Sequence, residues 1–256
     1  MWKKILGPIA VVAILLLKWG AKLKFIFIPL LKFFPVLFKT GGTMILSIGA
    51  YALFYGWKFA VGFVLLIFIH ECGHLIAARH VGLPVSAPMF IPFLGAIIAL
   101  KEAPKNAWIE AQVALGGPLL GAVGAVLCHL IYFATGHPLF RVLAHVGYLI
   151  NLFNLAPIGF LDGGRIVTAL SPWLWLVGTV IIGVMLVTHM SIILLLVLVL
   201  SLPRLFSLFR KRTDEEKRFY EVAPAQRFIV AVLYFGLAAA LAVGMKFTQM
   251  SQMPTQ

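Results

Sequence analysis

Residues 70–74 read HECGH and contain three side chains that could form a catalytic metal site. His70 and His74 are four positions apart, so on a helix both imidazoles lie on one face, about 6 Å apart along the axis. Two imidazoles at this spacing can bind one metal ion. Glu71 lies about 100° round the helix, where its carboxylate can accept a proton rather than bind the metal. The segment therefore matches the HExxH pattern.

The residues before this pattern, 63–69, are all apolar, which indicates a membrane helix. An ionisable group at membrane depth is costly and marks a functional site by default. A pair of hydrogen-bonded interior histidines is the alternative explanation. It is less favourable, because a His, Glu and His set without a ligand leaves three polar groups to satisfy in hydrocarbon.

The third metal ligand is expected to be Asp162, because a catalytic zinc usually takes three protein ligands and leaves one position for water. Asp162 lies in NLFNLAPIGFLDGGRI, where a span is expected to end at Pro157 and a new element to start after Gly163 and Gly164. The glycines are expected to allow a close backbone approach or a turn with positive φ. LDGG alone is more typical of a turn or a helix cap. Beside an HExxH helix it predicts a ligand.

The composition indicates a membrane protein. Hydrophobic residues make up 62% of the 256 residues and charged residues 11%, against about 45–50% and about 25% in soluble domains. The net charge of +13 is spread between apolar runs, so nucleic acid is not an expected partner. Cys72 and Cys128 both fall within apolar segments, which argues against a disulfide framework.

The expected fold is an all-α polytopic membrane protein with about six to seven transmembrane helices and a short re-entrant or β-hairpin segment near the metal site. Spans are expected at about 43–57, 59–80, 108–135, 139–157 and 226–245, with a broken segment at 83–107. Four regions are predicted. They are a short N-terminal helix and basic interfacial linker (1–42), a membrane-embedded core (43–203), a charged cytoplasmic loop (204–225), and a C-terminal transmembrane helix with its tail (226–256).

The orientation follows from Lys and Arg, which accumulate on the cytoplasmic side. If the helix at 59–80 ends in the cytoplasm and the apolar run 173–202 is a hairpin, most of the 21 Lys and Arg lie inside. If 173–202 were one span, the basic cluster at 204–218 would lie outside. The charge distribution therefore favours a hairpin that turns near THMS at 188–191.

Taken together, these motifs resemble the site-2 protease family of intramembrane zinc metalloproteases. The match joins HECGH at 70–74 to Asn154-x-x-Pro157-x-x-x-Leu161-Asp162-Gly163, with GGPLLG at 116–121 between them. It covers about residues 59–170. Two motifs in the family's order, both in membrane segments, are far more specific than either alone.

The resemblance implies a role for each matched residue. His70, His74 and Asp162 would bind Zn²⁺, and Glu71 would be the general base. Asn154 would help to hold the substrate backbone, and the segment 83–101 would offer an edge strand. The family often carries Asn in a GPxxN motif, whereas here Pro118 is followed by Gly121. Any polar role at that position is lost or moved, and packing through small residues is expected instead.

The implied function is an intramembrane zinc endopeptidase that hydrolyses peptide bonds in or near transmembrane helices of membrane-protein substrates, as in regulated intramembrane proteolysis. No PDZ or CBS domain can be fitted to this sequence, so a compact form of the family is expected. The resemblance also implies a multi-pass protein of the lipid bilayer, in a prokaryotic inner membrane, with the site near the cytoplasmic face. A helical substrate must unwind before attack, because its carbonyls are held in hydrogen bonds.

A function of another class stays open, namely a membrane metal transporter or a metal-binding membrane protein without catalysis. Such transporters also place HExxH-like residues in a spanning helix. A transport path needs several metal sites in succession, and apart from the Asp162 segment no second His, Asp and Glu cluster is evident in a neighbouring span. The substrate and the oligomeric state do not follow from the sequence.

Overall fold

The computed structural model describes residues 40–93, 95–188 and 191–249, which are mostly helical. The predicted short helix at 5–17 and most of the linker after it lie outside these residues. The described elements are α1 (40–55), α2 (Trp57–His80), β1 (Met89–Ile91), β2 (Gly95–Ile97), α3 (Ala107–Thr135), α4 (Pro138–Asn154), α5 (Asp162–Leu170), α6 (Leu174–Thr188), α7 (Ile192–Ser207), α8 (Asp214–Phe219) and α9 (Pro224–Thr248).

Within the described residues, three helices, α2, α3 and α9, are long and apolar enough to cross a membrane, with mean hydropathies of 2.0, 1.9 and 2.4. Such lengths match the roughly 20 residues that a spanning helix needs. The chain is therefore an integral membrane protein. The apolar run 173–202 is divided between two shorter helices, α6 and α7, as the predicted hairpin requires.

The segment after α2 forms a small antiparallel hairpin, in agreement with the predicted break at 83–107. Met89 pairs with Ile97 and Phe90 with Ala96. The Phe90 amide donates to Thr43 Oγ1 of α1 at 3.1 Å, so this amide points away from β2. Phe90 and Ala96 are thus a non-hydrogen-bonded pair, and the peptide groups of Ala96 face away from β1.

Helix α2, which carries His70 and His74, packs directly on the backbone of α3. A Cβ added at Gly73 would lie 2.1 Å from the carbonyl oxygen of Gly116, and one added at Gly116 would lie 2.4 Å from that of Gly73. Backbones approach this closely only where both side chains are absent. The predicted small-residue packing of GGPLLG is confirmed.

The segment LDGG is the start of helix α5, so the expected alternative of a turn with positive φ is wrong, and the new element begins at Asp162 rather than after Gly163 and Gly164. Asp162 is the first residue of α5, and neither Gly163 nor Gly164 is among the residues with positive φ. The predicted close approach is correct. An added Cβ on either glycine would lie 2.0 Å from a carbonyl oxygen, of Leu155 and Ile158 respectively. Both positions therefore need glycine because there is no room for a Cβ, and not because the backbone needs a positive φ.

Side-chain contacts show which helix ends lie together at each of the two ends of the bundle. At one end, Arg204 near the end of α7 contacts Glu110 in the first turn of α3, and Arg227 of α9 donates to the Leu170 carbonyl that ends α5. At the other end, Arg141 of α4 donates to the carbonyls of Thr248, the last residue of α9, and of Gln249, which follows it. The end of α7 and the beginnings of α3 and α9 therefore share one side.

Candidate metal centre

The structure brings together the three side chains that the sequence predicts as metal ligands. His70 Nε2 and His74 Nε2 are 3.1 Å apart, and each lies 3.1 Å from Asp162 Oδ2. All three residues are buried. In the part of the chain that the structure describes, they are the one group of three or more His, Cys, Asp or Glu that could hold a metal ion.

The other nitrogen of each imidazole, Nδ1, donates a hydrogen bond within the protein. His70 Nδ1 lies 2.8 Å from Asn151 Oδ1, and His74 Nδ1 lies 2.8 Å from the carbonyl oxygen of Val113. Both partners are acceptors, so both Nδ1 atoms carry the proton. In a neutral imidazole Nε2 then carries a lone pair. Three lone-pair atoms therefore converge on one point, an arrangement that a bound cation stabilises.

The spacing of these atoms fits a zinc ion. Zinc bonds of about 2.0–2.1 Å in a tetrahedron separate the ligand atoms by about 3.3 Å, close to the 3.1 Å observed. The donor set of two imidazoles and one carboxylate is of the kind that zinc accepts, and it leaves a fourth position for water. His70, His74 and Asp162 could thus hold zinc.

Glu71 and Asn154 line the same cavity as the three ligands. The cavity has a volume of about 720 Å³ and also contacts the segment from Gly95 to Ile98. Glu71 is buried, with 8% of its surface exposed. A carboxylate with this placement can exchange a proton with a molecule that enters the cavity. The predicted substrate contact of Asn154 is compatible with its position.

Asn151, which the sequence prediction did not single out, contacts the metal ligand His70 directly. Its amide nitrogen donates to the Gly147 carbonyl at 2.7 Å, which orients its oxygen toward His70. Such partners hold metal-binding histidines in one tautomer and orientation. The signal was present in the sequence, because an amide within an apolar helix must find a partner.

The glycines of GGPLLG have a second function, which is to make room for these side chains. A Cβ added at Gly117 would lie 2.2 Å from His74 Nε2, and one added at Gly121 would lie 2.1 Å from Asn151 Oδ1. The amide that the family often carries in this motif is absent here, and Asn151 of α4 occupies the space beside Gly121. The expectation that a polar role has moved is consistent with this contact.

Residues 58–141 match the family model of peptidase family M50. Among relatives, the zinc metalloprotease MJ0392 of Methanocaldococcus jannaschii is 30% identical over 130 residues, which cover 49% of this chain and 37% of that protein. Rip3 of Mycobacterium tuberculosis, also named as a zinc metalloprotease, is 30% identical over 141 residues, covering 50% of this chain and 35% of the relative. The matched part therefore spans little more than a third of each relative.

A solved structure titled Site-2 Protease from Methanocaldococcus jannaschii superposes with a TM-score of 0.41 at 20% identity, covering 70% of this chain and 87% of that chain. The predicted resemblance to the site-2 protease family is confirmed by the match to peptidase family M50 and by the zinc metalloprotease relatives.

Proposed function

Because the chain resembles the site-2 proteases of peptidase family M50, we propose that it is an intramembrane zinc endopeptidase. One observation carries the proposal. Three lone-pair atoms, on His70, His74 and Asp162, converge within 3.1 Å of one another in a cavity that Glu71 also lines. Zinc bound there supplies a Lewis acid that makes water nucleophilic near neutral pH.

The proposed roles of the protein side chains follow from their positions. Glu71 accepts a proton from the attacking water and delivers it to the leaving amine, as a general base and then a general acid. Asn151 and the Val113 carbonyl hold the two imidazoles with Nε2 aimed at the metal position. Asn154, on the α4 face that turns toward the cavity, contacts the substrate backbone.

The proposed substrate is a membrane-protein segment held in an extended conformation. The peptide groups of Ala96 face away from β1, and Ala96 and Ile98 line the cavity. A substrate strand that pairs with this edge of β2 would gain backbone hydrogen bonds, which compensate for those lost when its helix unwinds. Helix-destabilising residues near the scissile bond would favour cleavage.

We propose six to seven transmembrane helices in a prokaryotic inner membrane, with the site near the cytoplasmic face. The basic residues of 204–218 follow α7, whose end lies on the same side as the beginnings of α3 and α9. The rule that cations accumulate in the cytoplasm then puts that side inside. The regions 1–42, 43–203, 204–225 and 226–256 remain the proposed division of the chain.

The experiment that tests this function compares Glu71→Gln with Asp162→Ala in the purified protein. Glu71→Gln should keep one zinc per chain but lower cleavage of a helical membrane substrate by about 10²–10⁴-fold, because it removes the proton acceptor. Asp162→Ala should lose zinc as well as activity, because two protein ligands remain. Metal analysis and a gel-based cleavage assay give both readings. Cleavage at the wild-type rate by zinc-loaded Glu71→Gln would exclude the mechanism, and several exchangeable metal ions per chain would favour a transporter.

A further inference from the structure

Charged side chains in contact with one another connect Asp162 to Arg204 of helix α7 through Arg165 and Glu110. The proposed reaction does not use them. Arg165 Nη1 lies 3.9 Å from Asp162 Oδ1, and Arg165 Nε lies 3.5 Å from Glu110 Oε1. The same Glu110 oxygen accepts a hydrogen bond from Arg204 Nη2 at 3.0 Å. The Glu110 side chain is only 10% exposed and that of Arg165 23%. These charges are therefore less screened by water than surface pairs.

The two carboxylate oxygens of Asp162 face different partners. Oδ2 lies 3.1 Å from both histidine nitrogens, whereas Oδ1 lies on the side of Arg165. Rotation of the carboxylate would move Oδ2 away from the histidines. Arg165 is three residues after Asp162 in α5, so the two side chains lie on the same face of the helix, where such a contact can form.

We propose that Arg165 is a positioning residue for metal binding. Its guanidinium attracts Oδ1 and so keeps Oδ2 aimed at the two histidines. Glu110 holds the guanidinium in place, because the long Arg side chain would otherwise adopt many rotamers. This inference rests on the proposed zinc site at Asp162.

The alternative is that Arg165 contributes only its charge, and the two explanations predict opposite signs. A positive charge beside a cation site repels the cation, so its removal alone would tighten zinc binding. If Arg165 instead orients Asp162, its removal frees the carboxylate and weakens zinc binding. Losing an outer partner of this kind typically lowers metal affinity about 10–100-fold. The direction of the change separates positioning from simple electrostatics.

The test measures zinc affinity in the purified full chain by competition with a chromogenic chelator, without any activity assay. Arg165→Met should raise the zinc dissociation constant about 10-fold or more. It should also change the visible absorption of the cobalt-substituted site, which reports ligand geometry. Glu110→Gln should weaken zinc binding in the wild-type background but have no further effect in the Arg165→Met background, because Glu110 acts through Arg165.

Arg204→Met is the matched control, because it removes the same charge from the same Glu110 oxygen but leaves the contact between Arg165 and Asp162. It should bind zinc like the wild type. If Arg165→Met does not fold, Glu110→Gln, which is nearly isosteric, tests the same contact. Wild-type or tighter zinc binding by Arg165→Met, or by Glu110→Gln in that case, overturns the inference while the zinc site stands. A wild-type protein that binds no zinc overturns the proposed function instead.

Discussion

Replacement of Gly117 by Ala should displace His74 and abolish tight metal binding without touching a ligand. The new Cβ would lie 2.2 Å from His74 Nε2, 2.4 Å from Cε1 and 2.7 Å from Cδ2. An ordinary contact needs about 3.4 Å, so the ring must retreat by about 1.2 Å. Metal-ligand distances tolerate changes of only about 0.2 Å. The Nε2 atom of His74 would therefore leave its bonding position.

The imidazole has little freedom to adapt to this change. Its Nδ1 is held by the Val113 carbonyl, which belongs to the same helix as Gly117, one turn earlier. Retreat from Gly117 would also strain that hydrogen bond. Movement of α3 as a whole would open the tight contact between Gly73 and Gly116, and overpacking of this kind costs about 1–3 kcal/mol. Both responses weaken the site.

The assay is zinc affinity by chelator competition, together with the thermal unfolding temperature of the purified protein. We expect the zinc dissociation constant of Gly117→Ala to rise by at least the roughly 10–100-fold seen for outer-shell changes. Gly236→Ala is the control, because Gly236 is also helical and nothing lies within 4 Å of an added Cβ. It should bind zinc normally. Wild-type zinc affinity in Gly117→Ala would refute the reasoning.

Three further predictions concern the ligand support, the strand edge and the topology. Asn151→Ala should raise the zinc dissociation constant about 10–100-fold, because it removes the hydrogen bond to His70. Asn151→Asp keeps an acceptor and should raise the constant less; chelator competition measures both. Ala96→Pro should raise the KM for a membrane substrate and leave the zinc content unchanged, because it removes a backbone N–H from the edge of β2 that faces away from β1. A KM equal to that of the wild type would argue against strand addition. Single cysteines introduced in 210–218 should be labelled from the cytoplasmic side and those in 136–138 from the opposite side; the reverse pattern would exclude the proposed orientation.

Much of the site could be predicted from the sequence because its motifs are local. The spacing of His70 and His74 places both on one face of any helix, and a helix is the form that an apolar membrane segment adopts. The same constraint predicted α2, α3 and α9, because in lipid each backbone group must bond within its own segment. The broken pattern at 83–107 similarly predicted an element that is not a spanning helix.

The conformation around Asp162 shows the limit of local patterns. Two adjacent glycines are typical of a turn, yet here they belong to a helix. Glycine is needed there because the contacts with the carbonyls of Leu155 and Ile158 leave no space for a Cβ. Only the packing of distant segments shows which property of glycine is used. The sequence alone could not separate freedom of φ from lack of a side chain.

The sequence by itself determined the metal-binding residue types, the helix that presents the two histidines and the membrane setting, since each depends on spacing or composition. Asp162 was predicted as their third ligand, but only the tertiary structure brings it to the histidines across 88 residues or more of chain. The tertiary structure alone decided that Asn151 contacts His70 and that Gly117 gives His74 its space. These contacts join different helices, and their partners depend on how the helices pack. Spacing along one segment carries no information about that packing.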